Sequence, residues 1–219
     1  MSTAPRARRG RPGHDLEAVL AAAVALFNAQ GYDAASMDDV ARRLNITKSS
    51  LYHHVRGKEE LLRLAVSHAL DGLDAAMAEV RALVGLSALD RLETLIRLSV
   101  LVLADRLPYV TLLLRVRGNS EVELAALARR RAFDHEVTEL VKAAQAEGGV
   151  RPDVDPATAA RLLFGMVNSL AEWYEPGRGN ATAIADAVTA MAFDGLRTGR
   201  PATAEVAGAI DDETQRAGH

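Results

Sequence analysis

Between Ser36 and Val55 the chain carries two helix-start signals and a tight-turn residue within twenty positions, and few folds accept that pattern. Ser36-Met-Asp-Asp39 places a hydroxyl three residues before a carboxylate, the spacing of a capping box with Asp in place of the longer Glu. The spacing predicts a short helix to about Leu44. Asn45 tolerates the left-handed conformation, so Leu44-Asn45-Ile46 reads as a tight turn. Thr47 then caps a second short helix running to about Val55, and Gly57 is expected to end it. Two short helices joined by such a turn can stand near a right angle. Val40, Ala41, Leu44, Ile46, Leu51 and Val55 form the inward face that would hold the angle, with the small Ala41 allowing close approach. Lys48, Ser49, Ser50, Tyr52 and His53 are left facing outward, and all can donate hydrogen bonds.

The rest of the chain reads as helix throughout. Leu16, Val19, Leu20, Ala23, Leu26 and Phe27 fall at three- and four-residue spacings, stopped by Gly31. Beyond Lys58, apolar residues from Leu61 to Leu83 predict one long helix, broken by Gly85. Further helices are expected at about 88 to 104, 108 to 117, 120 to 147, 156 to 174 and 181 to 198, separated by Pro108, Gly118, Gly148-Gly149 and the Pro176-Gly177 loop. No strand alternation competes, and only 4% of residues are aromatic while 49% are hydrophobic, mostly Ala, Leu and Val. The expected fold is all-α. Its parts are a basic arm at 1–13 that is unstructured when unbound, a three-helix head at 14–57, a larger helical body at 58–199 and a loose tail at 200–219.

Charge is distributed unevenly. The net charge of −3 argues against a general nucleic-acid coat. Yet residues 1–13 hold four arginines and no acid, and residues 36–58 hold Arg42, Arg43, Lys48, Arg56 and Lys58 against Asp38 and Asp39. The absence of cysteine excludes disulfides, thiolate metal sites and a cysteine nucleophile. No apolar run approaches the roughly 18 residues of a membrane span, and the basic N-terminus leads into Arg, Gly and Pro instead of a signal-peptide core, so the expected location is cytoplasmic. His135 and Glu139 lie four apart on a predicted helix, but two ligands do not make a metal site, and Asp155 is better explained as an N-cap than as an acid. No phosphate loop, nucleophile elbow or acid-base pair stands out. No metal, cofactor or catalytic residue is therefore expected, and an enzyme or a helical scaffold that binds only proteins are the alternative classes.

The run from Ser36 to Leu62, with the preceding helix ending at Phe27 and the Gly31-Tyr32 pair, resembles the signature of TetR-family transcriptional repressors, closely over residues 15 to 64. Asn45 stands where that family most often has Gly. The resemblance implies double-stranded DNA as a partner, with Thr47 and Tyr52 on phosphates, Lys58 meeting the backbone from the start of the fourth helix, and Lys48, Ser49, Ser50 and His53 within reach of phosphates or base edges. Tyr52 has a core position as its alternative. Arg9-Gly-Arg-Pro12 resembles the core of an AT-hook, so Arg9 and Arg11 are expected to enter the minor groove.

A single recognition helix reads few base pairs, and the resemblance implies a homodimer on a pseudo-palindromic operator, joined through the helices at 156–174 and 181–198, where Gly165, Ala171, Ala187, Ala190 and Gly195 permit close approach. It also implies a small-molecule inducer inside the body. Candidate contacts are Tyr109, Leu112, Arg115, Phe133, Phe164, Asn168 and Trp173, each with a core position as its alternative. The segment ending Trp173-Tyr-Glu-Pro176 is similar to one in TetR-type regulators of fatty-acid, phenylacetate and steroid breakdown, many responsive to acyl-coenzyme A thioesters, although Glu175 stands where they often have Arg. Arg115, Arg117 or the run Arg129 to Arg131 could meet the phosphates, with a solvated helix face as the alternative for the run.

Overall fold

The structure, a computed structural model, describes residues 15–196. Among these the protein is all-α, with nine helices: α1 (Leu16–Gln30), α2 (Met37–Leu44), α3 (Lys48–Tyr52), α4 (Lys58–Ala82), α5 (Ala88–Asp105), α6 (Leu107–Leu114), α7 (Glu121–Ala146), α8 (Pro156–Trp173) and α9 (Ala181–Leu196). No helix among the described residues is long and apolar enough to cross a membrane.

Most boundaries are set by local chemistry that the sequence displays. Asp15, Ser36, Thr47, Ser87, Ser120 and Asp155 each accept a backbone N–H with the side chain at the start of a helix. Ser36 with Asp39 and Ser87 with Asp90 form complete capping boxes. Three expectations need correction. The helix expected at about 108 to 117 ends at Leu114, where the N–H groups of Arg115 and Val116 bond back to Leu112 and Leu113. The third helix ends at Tyr52 rather than near Val55, because the N–H groups of His53 and His54 bond back to Ser50 and Leu51, a three-residue tightening that closes the helix early. Gly57 does not stop that helix. It begins α4 in an extended conformation that any residue adopts.

The first three helices make a small head and the last five a larger body, with α4 running through both. Phe27, Val40, Leu51, Val55, Leu61 and Leu62 are buried at the head end of the core, and Met77 and Val80 at the body end. α5 lies at the centre of the body, packed against α4, α7, α8 and α9, and buries Leu92, Leu95, Ile96, Val100 and Leu103. At Gly72 on α4 an added Cβ would come within 2.7 Å of the Val102 side chain on α5, so only glycine lets these helices approach so closely.

Head and body also meet through α6, which packs on both α1 and α4. The Asn28 side-chain amide donates to the Pro108 carbonyl at 2.8 Å, Arg115 donates to the Asn28 carbonyl, and the rings of His68 and Tyr109 lie 4.4 Å apart.

Candidate nucleic-acid interface

The head's outward face is built from the turn upward. Asn45 sits at φ 54°, ψ 43°, the left-handed conformation its short polar side chain tolerates. This aims the Ile46 N–H at the Ala41 carbonyl (3.0 Å) and the Asn45 N–H at that of Arg42 (3.1 Å), the paired bonds of a Schellman ending. The last carbonyls of α2 are thereby satisfied and the chain is turned sharply into α3. At the other end of α2, Asp39 accepts from the Ser36 N–H (3.0 Å) and hydroxyl (2.6 Å) and from Arg42 (2.8 Å). These bonds, the Ser36 hydroxyl first, hold its carboxyl below the usual aspartate range.

α3 has only five residues, too few to be helical alone, so packing and capping place it. Leu51 is completely buried beneath it, and the Thr47 hydroxyl accepts the Ser50 N–H at 3.1 Å. Lys48, Ser49, Tyr52 and His53 face solvent and Ser50 is half-buried. Tyr52 is 46% exposed, so the core alternative for it falls away. Lys48 pairs with Asp38 at 3.0 Å, which raises its pKa through the hydrogen bond and then the charge. An exposed pair of this kind contributes little, and Lys48 is readily given up to a phosphate.

Lys58 is less free than the sequence suggests. Its ammonium donates to the Asp33 carbonyl at 3.1 Å and lies 4.3 Å above the Tyr32 ring, which stands edge-on to Phe27. The first turn of α4 is thus pinned to the loop between α1 and α2. Sequence reasoning missed this clasp, since nothing in the spacing links residues 32 and 58. Arg42, Arg43 and Arg56 are exposed around the same face. Arg9 and Arg11 lie outside the described residues.

Removal of one cap is a direct check on how this face is held. Ser36→Ala should cost about 1 kcal/mol of stability, the usual loss for a capping hydroxyl. A urea midpoint unchanged from the unsubstituted protein would contradict it.

The body residues named from the sequence are not gathered in one place. Phe164 and Asn168 line a cleft between α7 and α8, and Phe133 packs edge-to-face on Phe164 at 5.1 Å while lining a neighbouring cleft against α4. Tyr109, Leu112 and Arg115 lie on or just after α6 at the head-body seam, Leu112 buried and Arg115 bonded to α1. Trp173 is 58% exposed at the end of α8. No group of three or more His, Asp or Glu that could hold a metal occurs among the described residues, and Glu139 bonds Lys142 at 2.8 Å.

A short helix with a row of exposed donors, turned by a Schellman ending on a helix anchored by Met37, Val40 and Ala41, defines a helix-turn-helix DNA-binding head joined to a helical body. Residues 19–65 match the bacterial regulatory proteins of the tetR family, and residues 85–196 match the tetracyclin repressor-like C-terminal domain. The chain belongs to the TetR family and is a DNA-binding transcriptional regulator. It is 52% identical to SCO3833, a TetR-family regulator from Streptomyces coelicolor A3 whose crystal structure superposes with a TM-score of 0.76 over 82% of this chain and 91% of that one. The crystal structure of AibR in complex with isovaleryl coenzyme A and operator DNA is 28% identical, with a TM-score of 0.70 over 81% of this chain and 97% of that one. IcaR, the negative transcriptional regulator of a biofilm operon in Staphylococcus epidermidis, is 41% identical over 49 residues, 22% of this chain and 26% of that protein, so the match spans about a quarter of IcaR.

Proposed function

We propose that the chain is a homodimeric repressor that occupies a pseudo-palindromic operator through α3 and leaves it when an acyl-coenzyme A thioester binds the body. The working parts are an arm at 1–13, a head at 14–57, a body at 58–199 and a tail at 200–219. The observation that carries the DNA reading is the exposed row of Lys48, Ser49, Tyr52 and His53 on a helix whose opposite side is anchored by Leu51. Thr47, Ser50 and Tyr52 are the backbone contacts, Lys48, Ser49 and His53 reach base edges, and Lys58 meets a phosphate once its clasp on Asp33 loosens. Arg9 and Arg11 supply the minor-groove arm.

Dimerisation is supported by the outer faces of α8 and α9. Leu162 and Met191 are 64% and 73% exposed, Trp173 is exposed at the end of α8, and Gly165, Ala187, Ala190 and Gly195 are exposed on the same two helices. Large apolar side chains grouped on an open face mark an interface, and the small residues let a second copy approach closely. Support for the ligand class comes from AibR, solved with isovaleryl coenzyme A, and from the Trp173-Tyr-Glu-Pro176 segment.

Fluorescence anisotropy of the full chain on DNA flanking its own gene tests the reading. Tight binding to a pseudo-palindrome is expected, weakened by Ser49→Ala and His53→Ala by about 1 to 3 kcal/mol for each lost base contact. Deleting residues 1–12 should lower the log-log salt slope by about 0.9 for each phosphate contact removed. Folded dimer that binds no palindromic fragment at low salt would defeat the proposal, and an unchanged salt slope would remove the arm from it.

A further inference from the structure

Most of the body's described arginines are engaged. Arg63, Arg81, Arg97, Arg106, Arg129, Arg151 and Arg178 make ion pairs with carboxylates, while Arg91 and Arg115 donate to the carbonyls of Leu83 and Asn28. The guanidiniums that make neither an ion pair nor a hydrogen bond among the described residues are those of Arg117, Arg130, Arg131 and Arg161. Three of these four line one cleft of about 470 Å³ between α7 and α8.

The cleft is built to take more than water. Its floor is apolar, with Val137 and Phe164 buried beneath it and Phe133 stacked edge-on behind Phe164. Its single carboxylate, Asp134, stands near enough to Arg130 and Arg161 to feel their charge but forms no ion pair with either. Desolvation by the cleft walls raises its pKa more than the two arginines lower it. Asn168 adds an amide that makes no other hydrogen bond among the described residues. Three guanidiniums against one carboxylate leave two positive charges facing a concave apolar surface. A lone carboxylate would leave part of that charge unmatched, whereas a phosphate-bearing group presents enough oxygens and charge for several guanidiniums at once.

We propose that this cleft binds the phosphate-bearing end of the small-molecule ligand, with Arg130, Arg131 and Arg161 as its cationic contacts and the floor around Phe164 against its apolar part. The inference rests on the reading of the chain as ligand-released, and it assigns the polyanionic end of that ligand to a place separate from Arg115 at the head-body seam.

Calorimetric titration of the full chain, without DNA, with free coenzyme A and separately with inorganic pyrophosphate tests it. Coenzyme A should bind, and pyrophosphate more weakly, because only the former offers apolar surface to the floor. Arg130→Gln, Arg131→Gln and Arg161→Gln should each weaken coenzyme A about tenfold, the usual effect of losing one charge-assisted bond. Arg117→Gln, the unengaged arginine off the cleft, should leave it unchanged. The substituted arginines make no ion pair or hydrogen bond among the described residues, so thermal midpoints should move little. Cleft variants that titrate like the unsubstituted protein, or an equal loss in Arg117→Gln, would overturn the proposal. The same proteins on operator DNA separate the two readings. Release by an acyl-coenzyme A with equal potency in the cleft variants removes the cleft and keeps the ligand. Binding at the cleft without release from DNA does the reverse, and an unsubstituted protein that binds neither compound and is not released from DNA by an acyl-coenzyme A removes both.

Discussion

Leu51→Ala is expected to destabilise the head by about 2 to 5 kcal/mol and to weaken operator binding far more than any substitution of an exposed α3 residue. Leu51 is completely buried, in a core shared with Phe27, Val40, Val55, Leu61 and Leu62. Truncating it removes three carbons from a site that neighbours on three other helices and the loop after α3 cannot close around. The cost is large against a total stability of about 5 to 15 kcal/mol for a domain. The functional loss follows from the length of α3. Five residues have no helical stability of their own, so the donors on its outer face hold their spacing only while Leu51 anchors the inner one. The neighbouring Tyr52→Ala should leave the unfolding free energy from urea within about 0.5 kcal/mol of the original, because its ring is half in solvent. Urea unfolding and operator anisotropy on both variants decide the matter. Equal midpoints for the two would contradict the anchor.

Glu123→Ala should produce the second large effect, in the body. One oxygen of the buried Glu123 carboxylate accepts the backbone N–H groups of Arg117, Gly118 and Asn119 at 2.9, 2.8 and 3.1 Å, tying the loop between α6 and α7 to the first turn of α7. Alanine leaves three donors without an acceptor. Each costs about 1 to 3 kcal/mol if it stays buried, and opening of the loop to water will offset part of this, so a loss of about 3 kcal/mol is expected. Burial works to raise the Glu123 pKa, but the three N–H bonds together outweigh it and hold the carboxyl below the ordinary glutamate value. With the folded pKa depressed, the contribution is fully present above the unfolded pKa of about 4.3 and is lost as pH falls through the folded value. Unfolding midpoints between pH 7 and pH 3 should therefore fall steeply for the unsubstituted protein and less steeply for Glu123→Gln. Parallel curves would contradict the assignment.

Local signals in this chain were legible because they act within a few residues. The hydroxyls and carboxylate at Ser36, Thr47 and Asp155 reach backbone groups three positions on, and Asn45 needs only its own φ and ψ, so each was readable without knowing the fold. The outward row on α3 was legible for a similar reason, since the core residues at Leu51 and Val55 fix which side faces in. What misled was Gly57, where a glycine signals a helix end equally well whether the neighbouring helix is stopping or starting. The clasp of Lys58 on Tyr32 and Asp33, and the three bonds to Glu123, join positions whose proximity depends on how helices are docked or loops are folded back.

The body shows the same division more sharply. Its helices were predictable from apolar spacing, but each of Tyr109, Leu112, Arg115, Phe133, Phe164, Asn168 and Trp173 fits either a packed core or an open cleft when only the spacing is known. The structure distributes them over a seam, a buried aromatic pair, a cleft and an exposed helix end. Whether an arginine is spent on a partner is likewise invisible in sequence. Arg129 bonds Asp71 and Asp74, while Arg130 and Arg131, the next two residues, line a cleft and make no ion pair or hydrogen bond among the described residues. The sequence by itself determined the helical class, the caps, the left-handed turn and the reading face of α3, because those depend on interactions a few residues long. Only the tertiary structure decided which charges are paired and which cavity they line, because successive residues on one helix point in directions about 100° apart and meet different neighbours.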